Sequence, residues 1–298
     1  MILGLFLGAV VFLTAFLLVE ARVREPLLPL QLFGRRVFSV ANIAALIVGF
    51  ASLGSIFFLA QFFQQVQGYT VLEAGLRTFP ISMGAFLTAP FAGRLAGRIG
   101  PRLPIVLGGL LSGGALFLLM GLEPDSSYAT LWWILGTWGI GFGLMLSPLT
   151  AAVFSVTPPQ RAGLGSSMFN TSRQIGVSLG IAVLGAYVLQ QFAGNITSQF
   201  TQRGVPGPIG ATIANKIAAG AQASQVHLPG RLPLPPAALH QAINQAFVDA
   251  LHGSFLISGI ALLAVALLVA FLFQRQRAPS TSEAPADAGV LTGASAQP

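Results

Sequence analysis

No cysteine occurs among the 298 residues, which excludes disulfides, zinc–thiolate cages and thiol chemistry. Histidine is almost as scarce. His227, His240 and His252 are the three present, none paired at metal-ligand spacing, and each is expected to be a solvated loop residue. Charge is the third shortage: Asp, Glu, Lys and Arg make up 8% of the chain and hydrophobic residues 54%, against roughly 25% charged in ordinary soluble domains. So little charge cannot cover the surface of a soluble fold, and lipid must be the main solvent. The net charge of +7 sits in short clusters between apolar runs, without the aromatic interleaving of a base-stacking surface. Nucleic acid is therefore not an expected partner, and the clusters read as topology signals. No nucleophile–base pair, metal set or carboxylate pair is visible, so neither an enzyme nor a cofactor is expected.

What is present is apolar sequence in lengths that cross a bilayer, about 20 residues each. Seven windows qualify: Met1–Val19, Phe38–Gln61, Leu76–Leu95, Pro104–Gly121, Thr130–Ser155, Leu164–Leu189 and Phe255–Phe273. The fold class is thus an all-α membrane protein. The first window is expected to be a helix that stays rather than a cleaved signal peptide. No basic residue precedes it, and Glu20-Ala21-Arg22-Val23-Arg24 stands where a small-residue cleavage site belongs.

Orientation follows from the basic residues at span ends. With the N-terminus outside, the inward side holds Arg22, Arg24, Arg35, Arg36, Arg94, Arg98, Arg102, Arg161, Arg275 and Arg277, which is ten; the outward side holds Arg203, Lys216 and Arg231, which is three. N-out and C-in follows, with Tyr128, Trp132 and Trp133 at the outer interface. Residues 191–250 read as a long outward loop whose stretch Ala238–Leu251 has the spacing of a helix lying on the membrane surface. Residues 276–298 read as a disordered cytoplasmic tail.

The sixth span carries the strongest candidate site. On a wheel of about 100° per residue, Ser166, Ser167, Asn170, Arg173, Gln174 and Ser178 share one arc. Leu164, Met168, Ile175, Leu179 and Ala182 lie opposite, and Ser172, Gly176 and Gly180 form a ridge of small residues beside the arc. The expectation is an apolar side to lipid, the glycine ridge on a neighbouring helix and the polar arc toward the bundle interior. Arg173 lies roughly 18 Å from the cytoplasmic end of that helix at about 1.5 Å per residue, where an arginine needs a polar cavity or a partner. Two roles suit it: a pathway-lining cation that meets substrate or a coupling carboxylate, or a structural arginine bonding carbonyls of a broken neighbouring helix.

Other features carry two readings as well. In the fifth span Gly139, Gly143 and Ser147 form a second close-packing ridge, and Pro148 can kink the helix. These are packing features or a segment that rocks, as are Pro80 and Pro90. Gln61, Gln64, Gln65 and Gln67 read as a solvated interfacial cluster, and Glu73 with Arg77 as a helix-surface ion pair. No Asp or Glu lies well inside any span, so this chain offers no membrane-embedded carboxylate for proton coupling.

The stretch Gly93-Arg94-Leu95-Ala96-Gly97-Arg98-Ile99-Gly100-Pro101-Arg102 is a tight, basic turn, sufficient as a positive-inside anchor. Its spacing also resembles the G-x-L-A-D-R-x-G-x-R/K loop of the major facilitator superfamily of secondary transporters, with Gly97 where that pattern has an acid. The resemblance extends over roughly residues 1–275 through four further motifs: Arg24-Glu25-Pro26-Leu27-Leu28-Pro29-Leu30-Gln31-Leu32-Phe33, Gln67-Gly68-Tyr69-Thr70-Val71-Leu72-Glu73-Ala74-Gly75-Leu76, the Gly139–Pro148 run, and Asn170-Thr171-Ser172-Arg173-Gln174-Ile175-Gly176.

Taken together, the chain is similar to the C-terminal half of a fourteen-helix drug:proton antiporter of that superfamily. The resemblance implies a linker transmembrane helix and loop in residues 1–37, then a six-helix bundle in 38–275. It also implies a bacterial-type plasma membrane location, and export of small amphipathic or cationic compounds by alternating access with protons as the coupling partner. Gly93, Arg94, Gly97, Arg98, Gly100 and Arg102 would form the cytoplasmic gating loop, which without its acid cannot make the full latch. Gly139, Gly143, Pro148, Gly176 and Gly180 would be packing or hinge positions, and Ser166, Asn170, Arg173 and Gln174 would line the pathway. The family's coupling carboxylate belongs to an N-terminal helical half, which this chain is expected to need as a partner. The alternative from another class is a membrane scaffold or interaction protein built on a transporter half and without transport.

Overall fold

The computed structural model describes eight positions between Gly4 and Val19, residues 30–202 and residues 236–273. All eight early positions are helical, and no strand occurs among the described residues. The helices are α1 (Leu30–Phe33), α2 (Arg36–Val66), α3 (Val71–Ile99), α4 (Arg102–Leu118), α5 (Tyr128–Ser155), α6 (Ala162–Gln202) and α7 (Pro236–Leu272). Five of them are long and apolar enough to cross a membrane by length and composition. The exception among the long ones is α3, whose 29 residues include Glu73, Arg77, Arg94, Arg98 and two prolines. At about 1.5 Å per residue it still exceeds a hydrocarbon core of about 30 Å.

Local chemistry sets the helix ends. Gly68, at φ 72°, turns the chain from α2 toward α3. Thr70 then opens α3 with a capping box: its hydroxyl accepts from the Glu73 N–H at 3.3 Å, and the Glu73 carboxylate accepts from the Thr70 N–H at 2.8 Å. Gly100, at φ 89°, closes the same helix, and Pro101 cannot continue it. Ser127 caps α5 through the Ala129 N–H. Within α2 the α-helical pattern widens into π turns at Gly49–Leu53 and Phe62–Val66.

The six long helices pack as two interleaved triplets. Helix α2 packs on α6 and α7, α5 packs on α3 and α4, and the pairs α2–α5 and α4–α7 also touch. Exchanging α2, α3, α4 for α5, α6, α7 maps this set of pairings onto itself, the signature of two three-helix repeats. The core holds Trp138, Phe38, Phe62, Phe63, Phe192 and Phe255, all fully buried. Facing out are Phe86 at 77% and Phe271 at 81% exposure, with many other large apolar side chains. A water-facing surface would not leave so much uncovered.

Two sequence expectations are corrected here. Helices occupy both ends of the segment read as a loop over 191–250: α6 runs on to Gln202, and α7 begins at Pro236. The stretch Ala238–Leu251 does not lie along a membrane surface either. It is the first part of α7 and packs on α6, with the Phe192 and Phe247 rings edge to face and Asn195 Nδ2 donating to the Ala246 carbonyl. Its apolar spacing makes a face that a neighbouring helix covers. Residues 203–235 and the tail 276–298 lie outside the described residues, as do Arg22, Arg24, Arg275 and Arg277.

Candidate functional site

Helix α6 meets α2 along its glycines. A Cβ on Gly176 would run into the Leu46 carbonyl, one on Gly180 into the Phe50 carbonyl, and one on Gly49 of α2 into the Arg173 carbonyl. Because only bare backbone permits that approach, the glycine line fixes which face of α6 turns inward. It carries Gly165, Met168, Phe169, Gly176, Gly180, Leu184 and Val188 to the buried side. The polar arc is displaced to the outside. Asn170, Gln174, Ser167 and Ser178 are exposed, and Ser166 and Arg173 are half-buried. The sequence expectation that this arc faces the interior of the bundle is therefore corrected, as is the lipid-facing place given to Met168. Ile175, Leu179 and Ala182 are exposed as expected.

On that outer face Asn170, Thr171, Gln174, Ile175, Ser178 and Leu179 line an open groove of ≈ 470 Å³. Arg173 is not part of this lining but reaches it through Asn170, donating from one Nη to Asn170 Oδ1 at 3.2 Å. Its Nε is buried and has no acceptor. Next to it, Ser172 donates to Asn42 Oδ1 at 3.1 Å, while Asn42 Nδ2 donates to the Phe38 carbonyl at 2.8 Å. Asn42, a buried polar hub of the α2–α6 crossing, escaped the sequence reading. A lone asparagine inside an apolar span was the available signal. So did the buried hydroxyl pair Ser55–Ser258, 2.8 Å apart across α2 and α7.

Helices α3 and α5 cross in the same manner. A Cβ on Gly139 would meet the Ile81 carbonyl, and one on Gly143 would come within 2.7 Å of the Ala85 carbonyl. Beside this crossing, Ala85, Ala89, Phe142, Leu146, Thr150 and Phe154 line a second groove of ≈ 440 Å³. Pro148 is buried within α5. Of the gating-loop residues, Gly93, Arg94, Gly97 and Arg98 belong to the last turns of α3, and the turn itself shrinks to Gly100 and Pro101. Arg94, Arg98 and Arg102 are exposed. Gly93 sits near the Ser147 hydroxyl, while a Cβ on Gly97 would meet nothing.

Charge is segregated between the two ends. Arg35, Arg36, Arg94, Arg98, Arg102 and Arg161 gather where α2, α4 and α6 begin and α3 and α5 end, with no acid among the described residues there. Glu73, Glu123, Asp125 and Asp249 lie toward the other end.

At that end three expectations change. Glu73 is taken by the capping box, and its carboxyl is held below the usual range first by the Thr70 N–H and then by the Thr70 hydroxyl; the charge of Arg77 contributes least. Arg77 instead stacks between two rings, 3.7 Å from the centroid of Tyr69 and 4.9 Å from that of Tyr128. The glutamines are not merely solvated. Gln67 Nε2 donates to the Ser126 carbonyl at 3.0 Å and ties the α2–α3 turn to the α4–α5 connection. His252 is not a loop residue: half-buried in α7, its Nε2 lies 2.7 Å from the Leu122 carbonyl. His240 is exposed in α7, and His227 lies outside the described residues.

Comparison with known proteins extends this picture. The chain is 28% identical over 290 residues to the tetracenomycin C resistance and export protein of Streptomyces glaucescens, covering 95% of this chain and 53% of the relative. It is 33% identical over 218 residues to the multidrug resistance protein Stp of Mycobacterium tuberculosis, covering 73% and 40% respectively. With the multidrug transporter protein MdtP of Bacillus subtilis the identity is 29%, covering 81% and 43%. The chain thus spans about half the length, or less, of these relatives. Its fold matches a crystal structure of a bacterial homologue of the human lysosomal transporter Spinster, inward-facing and unoccupied, with a TM-score of 0.51 at 20% identity, over 80% of this chain and 49% of that one. Residues 1–181 match the family model of the Major Facilitator Superfamily, and with a glycine-packed helical bundle behind that match, the chain belongs to the Major Facilitator Superfamily.

Proposed function

We propose that the chain forms the C-terminal half of a proton-coupled exporter of small amphipathic compounds, working by alternating access and completed by a second helical half. The observation that carries this is the outward face of α6. An exposed row of Asn170, Gln174 and Ser178 with a half-buried Arg173 runs along a helix long and apolar enough to cross a membrane. Hydrocarbon disfavours such a row by several kcal/mol for the arginine alone, on the order of 3 by insertion scales. Facing another protein surface across an aqueous pathway removes that cost. Transporters of this fold bind substrate near the midplane between two helical halves, and the α6 groove is the wall this chain contributes.

The relatives' names, with export and multidrug resistance in them, support an exported small molecule. The acids of the described bundle lie toward the end away from the arginines, which supports a coupling carboxylate supplied by the other half. The arginine-rich end is cytoplasmic, giving N-out and C-in in a bacterial-type plasma membrane. The segment before Phe38 is the linker helix with its loop, 38–275 the bundle and 276–298 the cytoplasmic tail. The Gly93–Arg102 stretch, the last turns of α3 with the Gly100–Pro101 turn, serves as the cytoplasmic gate, and the glycine crossings at Gly139, Gly143, Gly176 and Gly180 with Pro148 are the surfaces on which helices shift.

The test is expression of the chain alone, and together with a helical half, in a strain stripped of efflux pumps. Drug resistance is expected only for the pair. Full resistance from the chain alone would sink the half-transporter reading.

A further inference from the structure

We propose that Arg173 makes the α6 groove select acidic amphipathic molecules, carrying an anionic group on an apolar body, over cationic ones; this rests on the export function proposed above. The guanidinium offers five N–H donors, and among the described residues one bond is made, to the neutral Asn170 amide. Its Nε is buried without an acceptor. A structural arginine would spend those donors on its neighbour. Helix α2 is broken into a π turn at Gly49–Leu53, right where the Arg173 Cγ packs over Gly49. Yet no carbonyl of that turn accepts a hydrogen bond from the Arg173 side chain. The cation is thus tied to the groove wall through Asn170, with one guanidinium bond made among the described residues.

Nothing in this wall neutralises it. The described acids, Glu73, Glu123, Asp125 and Asp249, sit toward the outer end, whereas Arg173 lies roughly 17 Å along α6 from Ala162 at about 1.5 Å per residue. In a site removed from bulk water a fixed cation attracts an anion and repels another cation far more strongly than at a surface. The rest of the groove suits the same ligand. Asn170, Gln174, Thr171 and Ser178 supply N–H and O–H donors, and Ile175 and Leu179 supply apolar walls. A cationic compound would have to lie against an uncompensated guanidinium.

A pair of dyes on one xanthene scaffold separates the possibilities: fluorescein, an anion, and rhodamine 6G, a cation. Energised efflux from preloaded cells is measured with the native gene intact, deleted, or edited to Arg173→Gln or Arg173→Lys. The intact gene should drive fluorescein efflux. Arg173→Gln should cut it by about tenfold or more, as expected for losing a charged hydrogen bond. Rhodamine 6G efflux should stay unchanged or rise, and Arg173→Lys should recover part of the fluorescein rate. An equal loss for both dyes in Arg173→Gln overturns the proposal in favour of a carboxylate partner from the other half. So does an intact gene that exports rhodamine 6G and not fluorescein, a comparison that stands even if the variant fails to reach the membrane. Export of neither dye above the deletion strain counts against the export function itself and takes the proposal with it.

Discussion

The carbonyl oxygen of Leu46 occupies the space that a Cβ on Gly176 would need, so α2 and α6 touch backbone to backbone. One turn further along, Gly180 meets Phe50 in the same way, and on the other side of the bundle Gly139 meets Ile81. Packing rather than aqueous hydrophobicity holds helices together in lipid, and small residues give the closest packing. Gly176→Leu must push the two helices apart. The expected cost is about 1–3 kcal/mol or more, as for overpacking elsewhere, read as a lower melting temperature in detergent and lower abundance in the membrane. Gly97→Ala is the control. Its Cβ would meet nothing, and removing a glycine from α3 should be neutral or stabilise by up to about 1 kcal/mol.

The spans were legible because length and apolar run are properties of a single segment. Orientation of each face was not, because a wheel tells which residues share an arc and not which neighbour claims it. Asn170, Arg173 and Gln174 do share one face, but that face turns out of this bundle rather than into it. The glycine ridge beside them, also visible in the sequence, set the rotation of α6, and its contact with Leu46 and Phe50 exists only in three dimensions. Arg77 shows the same limit. Glu73, four residues away, looked like its partner, yet the rings of Tyr69 and Tyr128, distant by 8 and 51 positions, hold it. Local pairing rules cannot anticipate a competitor that the fold brings in.

Asn42 and Ser172 should prove coupled. The Ser172 hydroxyl donates to the amide oxygen of the buried Asn42 in the α2–α6 crossing. A double-mutant cycle with Asn42→Ala and Ser172→Ala is expected to give a coupling of about 0.6 kcal/mol, and no more than about 1.7, in line with interhelical bonds in other membrane bundles. Strictly additive effects would mean that the bond contributes nothing to holding the helices together.

The capping box at the head of α3 predicts a pH effect with a definite sign. The Glu73 carboxyl is held below its ordinary value, chiefly by the Thr70 N–H. A depressed folded pKa contributes stability that is complete above the unfolded value, about 4.3 for glutamate, and that is lost as pH falls through the lower folded value. Thr70→Ala removes the hydroxyl bond, so Glu73 should titrate closer to its ordinary value, followed by carbon-detected NMR of labelled glutamate. Glu73→Gln should remove this group's share of the acid sensitivity while Asp125→Asn leaves it in place.

Orientation can be tested with unusual cleanness because the chain has no cysteine of its own. Gly97 and Asp125 are both exposed and lie at opposite ends of the bundle, the first among the arginines at the end of α3, the second in the connection before α5. If arginine clusters are retained in the cytoplasm, Asp125→Cys should react with a membrane-impermeant maleimide in intact cells. Gly97→Cys should react only after permeabilisation. Neither substitution disturbs packing, since a side chain on Gly97 meets open space and Asp125 is already a surface residue. The reverse pattern would turn the bundle over and place the arginines outside. The Gly93–Arg102 stretch could not then be the cytoplasmic gate.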